Sequence, residues 1–259
     1  MKHIITLLAT LTIAMSAYAQ TDSLVIIEPK GDGLNLNIAG FSVTLEGNSE
    51  SQTEKQRYRP YGTYVLSAKW GVTRLTDSPY YGNWADQGDF LNLSGKSNTL
   101  SIEPISWEVR LDRKRIVWLK TGLIGTWDNY HFYNPITLVN NDKGYLMPLH
   151  LEKDIKRTKM NSFYLGASLG LAFRLGNVKI GANVTPEILC YSETRYRTAD
   201  KVKYKSEIQG LSPVRVKVGA TMMIDWLGIY VDYGLSPVFK EGTGNDAKIV
   251  SVGLKVGGF

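Results

Sequence analysis

The sequence contains few of the residues that crosslink or catalyse. Cys190 is the only cysteine in 259 residues, so no intramolecular disulfide can form. There are three histidines, and the chain has no His and Cys spacing typical of a metal site. Beyond residue 20, no apolar run approaches the roughly 20 residues that a membrane-spanning helix needs. These absences exclude a disulfide-stabilised scaffold, a zinc site and a helical membrane protein.

The first residues, MKHIITLLATLTIAMSAYAQ, have the pattern of a secretory signal peptide. Lys2 provides the basic start, an apolar run covers residues 4–14, and Ala17-Tyr18-Ala19 is a small-x-small cleavage site. We expect export and cleavage after Ala19, and the absence of a cysteine there argues against a lipid anchor. The formal charge of the chain is +6. In an exported protein, this basic balance excludes nucleic acid and favours an anionic lipid or polysaccharide surface.

The rest of the chain contains segments in which apolar residues occupy every second position. This period of two predicts β-strands with one apolar and one polar face. The segments are YVLSAKWGV (64–72), ISWEVRL (105–111), RIVWLKTGLIGTW (115–127), FYLGASLGLAFRLG (163–176), VKIGANV (178–184), VRVKVGATMMI (214–224), IYVDYGLS (229–236) and VSVGLKVGGF (250–259). A soluble β-sandwich also alternates, so the pattern alone does not select the fold.

The lengths of the strands and connections favour a barrel. Many segments have about 10 residues, the length that a tilted strand needs to cross a bilayer. Short connections are predicted at Leu111–Lys114, Leu175–Val178 and Asp225–Gly228. Long loops are predicted over 75–97, 131–160, 192–210 and 239–247. We therefore predict an all-β fold over residues 61–259, a closed antiparallel eight-stranded transmembrane β-barrel with short periplasmic turns and long extracellular loops.

Residues 20–60 form a separate N-terminal segment, because a ninth strand would break the even strand count of such a barrel. The stretches LVIIE and LNLNIAGFSVTL predict a short periplasmic β-hairpin, and disorder is the alternative.

The last strand resembles the C-terminal signal of bacterial outer-membrane proteins, whose terminal aromatic residue is read by the barrel-assembly machinery. The resemblance assigns this signal to Val250, Val252, Leu254, Val256 and Phe259. Phe259 is out of step with the four aliphatic positions, so a bulge or turn is expected at Gly257-Gly258. In a closed barrel, the last strand also removes the free sheet edges.

A more specific resemblance covers about residues 61–259. The stretches KWGVTRLTDSPYYGNWADQGDFLNLSGKSNTLSIEPISWEVRL and TGLIGTWDNYHF resemble small outer-membrane barrels of Bacteroidetes bacteria, described as porin-like or PorT-like. The resemblance implies a barrel fold and a location in the outer membrane of a Gram-negative bacterium. It implies no catalytic residues and no cofactor.

The polar faces of the predicted strands place a basic cluster inside the barrel. Its members are Lys69, Arg110, Lys120, Arg174, Lys179, Arg215 and Lys217, with Lys255 on the last strand. The acidic residues predicted to join them are Glu108, Asp128 and Asp232. Buried charges need partners, so we expect water, tyrosine hydroxyls or the N-terminal segment to satisfy the remaining cations.

Two loops carry candidate contact residues. In the first loop, the aromatic residues predict either stacking on sugars or a partner surface, or an aromatic girdle at the membrane interface. These residues are Tyr80, Tyr81, Trp84 and Phe90. In the second loop, LEKDIKRTK (151–159) predicts contact with anionic lipid head groups or, alternatively, a solvated run of charges.

The features favour a non-enzymatic protein with a structural or surface-interaction role. The alternative is a transporter or narrow channel that passes a small anionic or apolar solute through the basic interior. A weaker alternative is a lipid-modifying enzyme centred on His131, which lies near Asp128 and Asn129 at the end of a predicted strand. No cofactor and no nucleic-acid partner are expected. The expected partners are outer-membrane lipid and lipopolysaccharide, the barrel-assembly machinery and an unidentified envelope protein.

Overall fold

The computed structural model of the protein describes residues 25–30, 33–38, 41–45, 62–87, 90–112, 116–141, 146–152 and 154–258. The predicted signal peptide and Phe259 lie outside these residues. The chain divides into two compact units, Met1–Arg57 and Tyr58–Phe259. Among the described residues, no helix has both the length and the apolar character needed to cross a membrane.

The first unit contains three described strands that pair in sequence order. They are β1 (Val25–Lys30), β2 (Gly33–Ile38) and β3 (Phe41–Leu45), and both pairings are antiparallel. The sequence predicts either a two-stranded hairpin or disorder in this region. The described strands form a three-stranded meander.

The second unit contains the remaining described strands. They are β4 (Gly62–Leu75), β5 (Asn98–Arg110), β6 (Val117–His131), β7 (Ile136–Asn140), β8 (Leu146–His150), β9 (Ile155–Leu175), β10 (Val178–Thr198), β11 (Lys203–Glu207), β12 (Val214–Ile224), β13 (Leu227–Gly234) and β14 (Ile249–Gly257). A 3-10 helix covers Gly82–Gln87 in the connection from β4 to β5.

Eight of these strands form a closed ring. Their order is β4-β5-β6-β9-β10-β12-β13-β14, each pairing is antiparallel, and β14 pairs back onto β4. Strands β7 and β8 form a separate hairpin, and β11 pairs with the far end of β10. The predicted all-β fold, a closed antiparallel barrel of eight strands, is confirmed.

The connections are short at one end of the ring and long at the other. Strands β9 and β10 are joined through Gly176, whose φ of 63° favours a residue without a side chain. Strands β12 and β13 are joined through Asp225, whose φ is 53°, and aspartate tolerates this left-handed region. Between β5 and β6, the amide of Leu111 donates to the carbonyl of Val117 at 2.9 Å. These three short turns lie where the sequence predicts them.

Two long connections contain more regular structure than the sequence predicts. The loop predicted over 131–160 holds the β7–β8 hairpin, and β9 already begins at Ile155. The prediction of a loop over 192–210 is wrong for most of that range, because β10 continues to Thr198 and pairs with β11. This part of β10 reads ETRYRT, which lacks the aliphatic residues that mark a strand by hydrophobic alternation.

The two faces of the ring are inverted relative to a soluble β-protein. Every strand of the ring exposes large apolar side chains, for example Leu66, Ile105, Leu123, Leu169, Ile188, Met222, Ile229 and Leu254. The buried inward side chains are mostly polar or charged: Ser67, Lys69, Thr73, Thr99, Ser101, Glu103, Ser106, Glu108, Lys120, Thr126, Asp128, Ser168, Thr185, Glu187, Arg215, Lys217, Thr221, Asp232, Ser251 and Lys255. Soluble proteins bury apolar residues and keep charged residues at the surface.

Two bulges determine which side chains point inward. In β5 the register shifts next to Pro104, and Glu103 and Ser106 on its two sides are both buried in the interior. In β10 the register shifts between Leu189 and Tyr191. A bulge inserts an extra residue into one strand, so the alternation of faces restarts after it.

A pair of glycines lies at the seam where β14 closes onto β4. Gly71 and Gly253 are directly opposite each other in the register. A Cβ added to Gly253 would lie 2.1 Å from the carbonyl oxygen of Trp70, and one added to Gly71 would lie 2.6 Å from the hydroxyl of Tyr230. The side chain of Tyr230 is buried inside the ring beside this pair. The seam therefore depends on two residues without side chains.

Replacing Gly253 with alanine should weaken closure of the ring, because the new methyl group overlaps the backbone of Trp70. Overpacking of this kind costs about 1–3 kcal/mol. We expect a lower midpoint of urea unfolding, measured in detergent by the difference in gel mobility between folded and unfolded protein. Gly95→Ala is the control, since its added Cβ meets only the end of the Arg74 side chain at 3.7 Å. Equal midpoints for the two variants would contradict this account of the seam.

Candidate functional site

The interior of the barrel holds buried charges of both signs in equal number. Among the described inward-facing residues there are five buried bases and five buried acids. They are Lys69, Lys120, Arg215, Lys217 and Lys255 on one side and Glu103, Glu108, Asp128, Glu187 and Asp232 on the other. Removing an isolated charge from water is costly. The stability of this interior therefore depends on how the charges pair.

Arg215 is the centre of the larger ion cluster. Its Nη1 donates to Asp128 at 2.7 Å, and its Nε donates to Glu187 at 2.6 Å. The ammonium of Lys217 lies 2.9 Å from the other carboxylate oxygen of Glu187. The guanidinium of Arg215 also lies over the ring of Tyr164, 3.6 Å from its centroid, an arrangement favourable for a cation. Side chains from β6, β9, β10 and β12 are joined in this way.

Hydroxyl groups connect this cluster to the seam. Thr99 Oγ1 donates to Asp128 at 2.6 Å. The Thr99 hydroxyl also lies 2.6 Å from that of Thr73, which lies 3.0 Å from that of Ser251. Because Thr73 is on β4 and Ser251 is on β14, the chain of hydrogen bonds crosses the seam.

Two smaller ion clusters lie near the seam. Lys120 donates to Glu103, and Glu103 also accepts a hydrogen bond of 2.7 Å from Ser67. Lys69 donates to both carboxylate oxygens of Asp232 at 3.1 Å. Lys69 is on β4 and Asp232 is on β13, so this pair reaches past β14.

The structure distributes the predicted basic cluster along the whole barrel. Lys69, Lys120, Arg215 and Lys217 belong to the three ion clusters just described. They do not gather at one point that could bind a single ligand.

The other three members lie near the short turns. Lys179 is half-buried and lies 3.3 Å from Glu108. The guanidinium of half-buried Arg110 lies 5.9 Å from the ring centroid of Trp118. Arg174 is exposed, and its Nε donates at 3.0 Å to a carbonyl in the turn between β9 and β10. Arg174 is therefore a residue of the rim and is not enclosed.

The prediction contains too few of the acidic residues inside the barrel. It lacks Glu103 and Glu187, which are both buried in the interior and paired with cations. Glu103 comes before the bulge at Pro104, and Glu187 lies beyond the predicted end of its strand at Val184. Continuing the alternation of VKIGANV through Thr185 would have found Glu187. For Glu103, the bulge determines whether the side chain points into the barrel or out of it.

An apolar cluster covers the loop end of the interior. Its buried members come from the four long connections and adjacent strand ends: Trp84, Phe90, Leu91, Leu93, Tyr130, Phe132, Ile136, Leu138, Leu146, Met160, Ile208, Leu211, Val238, Phe239 and Ile249. We call this cluster the apolar cap. Trp84 Nε1 donates to the carbonyl of Leu146 at 2.8 Å, which ties the 3-10 helix to β8. The Trp84 ring also packs at 5.1 Å against both Phe90 and Phe239.

The aromatic residues of the first loop belong to this cap. Trp84 is 0% exposed and Phe90 is 1% exposed. Tyr80 is partly buried against the cap, and its hydroxyl accepts a hydrogen bond of 3.0 Å from a backbone amide of the same loop. The hydroxyl of Tyr81 donates to Asp246 at 2.9 Å. Both predicted roles, an exposed stacking surface and a membrane girdle, are therefore wrong for Trp84 and Phe90, because the loop folds over the end of the barrel.

The predicted assembly-signal residues on the last strand lie on its outward face: Val250, Val252, Leu254 and Val256. Phe259 lies outside the described residues. Gly257 has a φ of 101°, which is the departure from strand geometry expected before Phe259.

His131 ends β6 on the outward face, beyond the exposed apolar residues. Its two ring nitrogens lie 3.1 Å and 2.9 Å from the guanidinium nitrogens of Arg157. Burial and the nearby cations Arg157, Lys159 and Lys96 lower the pKa of His131 to about 4. Asp128, its predicted carboxylate neighbour, points inward and pairs with a cation of the interior. Asp128 therefore cannot orient His131 as a catalytic base.

The chemistry of the interior is structural. Its carboxylates, ammonium groups and guanidinium bond to one another and to hydroxyls, and the apolar cap lies above them. Across the described part of the chain, no group of His, Cys, Asp and Glu side chains could hold a metal ion. The arrangement can fill the barrel and link its strands.

Comparison with known proteins yields distant structural likenesses. No protein-family profile and no curated protein matches the chain. Ail, the attachment invasion locus protein of Yersinia pestis, is 10% identical with a TM-score of 0.35, over 75% of this chain and 97% of Ail. Neisserial surface protein A is 12% identical with a TM-score of 0.37, over 76% of this chain and 98% of that protein. The antiparallel pairing of the eight ring strands itself shows the barrel fold.

Glu187→Gln should destabilise the folded barrel, because Arg215 and Lys217 lose the carboxylate that they share. Removing one partner of a buried ion pair costs about 3–5 kcal/mol. Urea unfolding of the purified protein in lipid vesicles, followed by tryptophan fluorescence, gives the free energy of unfolding. Glu241→Gln is the control, because Glu241 is exposed and an exposed charge contributes about 0–1 kcal/mol.

A double variant makes the test specific to pairing. Glu187→Gln/Lys217→Met also removes the ammonium that Glu187→Gln alone leaves uncompensated. Its loss in free energy of unfolding should therefore be smaller than the sum of the losses in the two single variants. If Glu187→Gln were as stable as Glu241→Gln, the account of a paired interior would be wrong.

Proposed function

We propose that the chain is a small outer-membrane β-barrel protein, non-enzymatic, with a structural or surface-interaction role. The observation that carries the proposal is the apolar belt, the exposed apolar side chains on the outward face of all eight ring strands. Leu66 is 64% exposed, Trp70 is 57% exposed and Ile229 is 58% exposed. A soluble monomer rarely exposes a contiguous apolar patch of more than roughly a few hundred Å². Lipid is the solvent that suits such a belt.

The closed ring supports the same proposal. In lipid, backbone donors and acceptors must be satisfied within the protein, and only helices and closed barrels achieve this. The return of β14 to β4 leaves no open edge in the ring. The rings of Trp127 and Phe163 stack 4.5 Å apart at the loop-side edge of the belt, where outer-membrane barrels carry aromatic girdles.

The orientation that we infer places the short turns in the periplasm and the long loops at the cell surface, as in outer-membrane barrels generally. The predicted signal peptide over residues 1–19 supports export to the outer membrane of a Gram-negative bacterium. The aliphatic outward face of β14 supports recognition by the barrel-assembly machinery. Outer-membrane lipid and lipopolysaccharide are the surroundings in which this role is exercised.

The filled interior favours a barrel that passes no solute over a transporter. An eight-stranded barrel has an interior about wide enough for its own side chains. Here long Lys, Arg and Glu side chains occupy it in pairs, and the apolar cap covers its loop end. The guanidinium of Arg157 lies 2.9 Å from a ring nitrogen of His131 and disfavours protonation of the imidazole, which supports a non-enzymatic role.

A cation in the middle of the belt should prevent insertion. Val231 is 46% exposed near the centre of β13, and Val231→Lys would place an ammonium in lipid. The cost at the bilayer midplane is about 2–4 kcal/mol. We expect a marked loss of folded protein from the outer-membrane fraction, measured in intact cells by heat-modifiable gel mobility.

Val202→Lys provides the matched control. Val202 is 48% exposed in the turn between β10 and β11, beyond the belt. This variant should insert as well as the unmodified protein. If the two lysine variants reached the outer membrane in equal amounts, the belt would not lie in lipid and the proposed location would be wrong.

A further inference from the structure

Strands β9, β10 and β11 continue beyond the apolar belt and present two rows of cations on their outward face. The first row is Lys159, Arg195 and Lys205, and the second row is Arg157, Arg197 and Lys203. We call these six residues the basic face. Neighbouring strands are about 4.8 Å apart and successive residues of one face about 7 Å apart. The cations thus emerge from an area of about 10 by 7 Å.

Carboxylates on the same face compensate only the first row. The cations of each row lie directly opposite one another on neighbouring strands, where like charges repel. Glu193, one row closer to the belt, pairs with Arg195 and lies 2.9 Å from Lys205. Glu207 lies opposite Glu193 and is the other carboxylate of that adjacent row. Six cations therefore face two carboxylates.

The second row has no carboxylate partner. Within the described residues, no salt bridge involves Arg157, Arg197 or Lys203. Arg157 contacts His131, which is neutral at pH 7 because its pKa is about 4. The Nε of Arg197 is buried and has no hydrogen-bond partner in the described part of the chain. This row therefore leaves its cations without an anionic partner among the described residues.

The basic face adjoins the apolar belt on the same wall. Tyr191 pairs with Phe163, and Phe163 stacks on Trp127 at the edge of the belt. Leu165 and Ile188 lie directly below and are 52% and 48% exposed. The first row of cations is about 13 Å along β9 from Phe163. A molecule with acyl chains and anionic groups would meet apolar and cationic side chains in that order.

We propose that the basic face binds the phosphorylated head group of a glycolipid of the outer leaflet, with its acyl chains against the belt. The inference rests on the proposed function, since it requires the belt to lie in the outer membrane. It specifies a lipid because the cations and the exposed apolar residues share one wall. The two arginines of the second row add specificity, since guanidinium groups bind phosphate oxygens through paired hydrogen bonds.

The double variant Arg197→Gln/Lys203→Gln tests the proposal and leaves both Glu193 ion pairs in place. Arg174→Gln/Lys240→Gln is the matched control, because both of its residues are exposed and lie off the basic face. The purified full-length protein in non-ionic detergent is titrated with diphosphoryl lipid A, and bound lipid is counted by native mass spectrometry. We expect an affinity loss of about tenfold or more in the first variant and less than about twofold in the control.

Three outcomes would overturn the proposal: unchanged affinity in the first variant, equally tight binding of lipid A stripped of its phosphates, or displacement of lipid A by equimolar inorganic phosphate. Heat-modifiable mobility checks that each variant is folded, and Lys203→Gln alone, at an exposed position, gives a smaller loss if the double variant does not fold. Insertion into the outer membrane is measured separately. If the protein inserts but does not bind lipid A, the proposed function stands and the inference of glycolipid binding is wrong.

Discussion

The interior of an eight-stranded ring is only about as wide as the side chains that enter it, and the rest of this barrel depends on that constraint. A charge that points inward has to find its partner within the ring. Arg215 does so with Asp128 and Glu187, and Lys69 does so with Asp232. Each pair joins different strands. The contacts that neutralise the charges therefore also hold the strands in register.

Closure of the ring and filling of its interior are coupled because the interior is so narrow. The glycine pair at Gly71 and Gly253 lets β4 and β14 meet beside the buried ring of Tyr230. The hydroxyls of Thr73 and Ser251 then link the two strands from inside. Towards the loops, apolar side chains replace the charges. Outside the ring the opposite rule holds, with apolar side chains in the belt. On the wall above it, the second row of cations has no salt bridge among the described residues.

Alternation predicts the ring because it is a local property: in VRVKVGATMMI every inward residue, including Arg215 and Lys217, follows from the period of two. It fails where a distant partner decides the structure. The phase of Glu103 depends on a bulge against neighbouring strands. The outer part of β10 has polar residues on both faces, and only its pairing makes it a strand. Trp84 is buried because four connections pack together, which no local pattern contains.

Paired charges and the apolar cap occupy the interior of the ring, and we infer that they leave no continuous path for water. The measurement that tests it most directly is the current through the purified protein in planar lipid bilayers. The account predicts no steady conductance at any voltage that the bilayer withstands, because the interior is occupied by its own side chains. Stable openings, above all anion-selective ones that disappear when the charge of Lys217 is reversed, would contradict it.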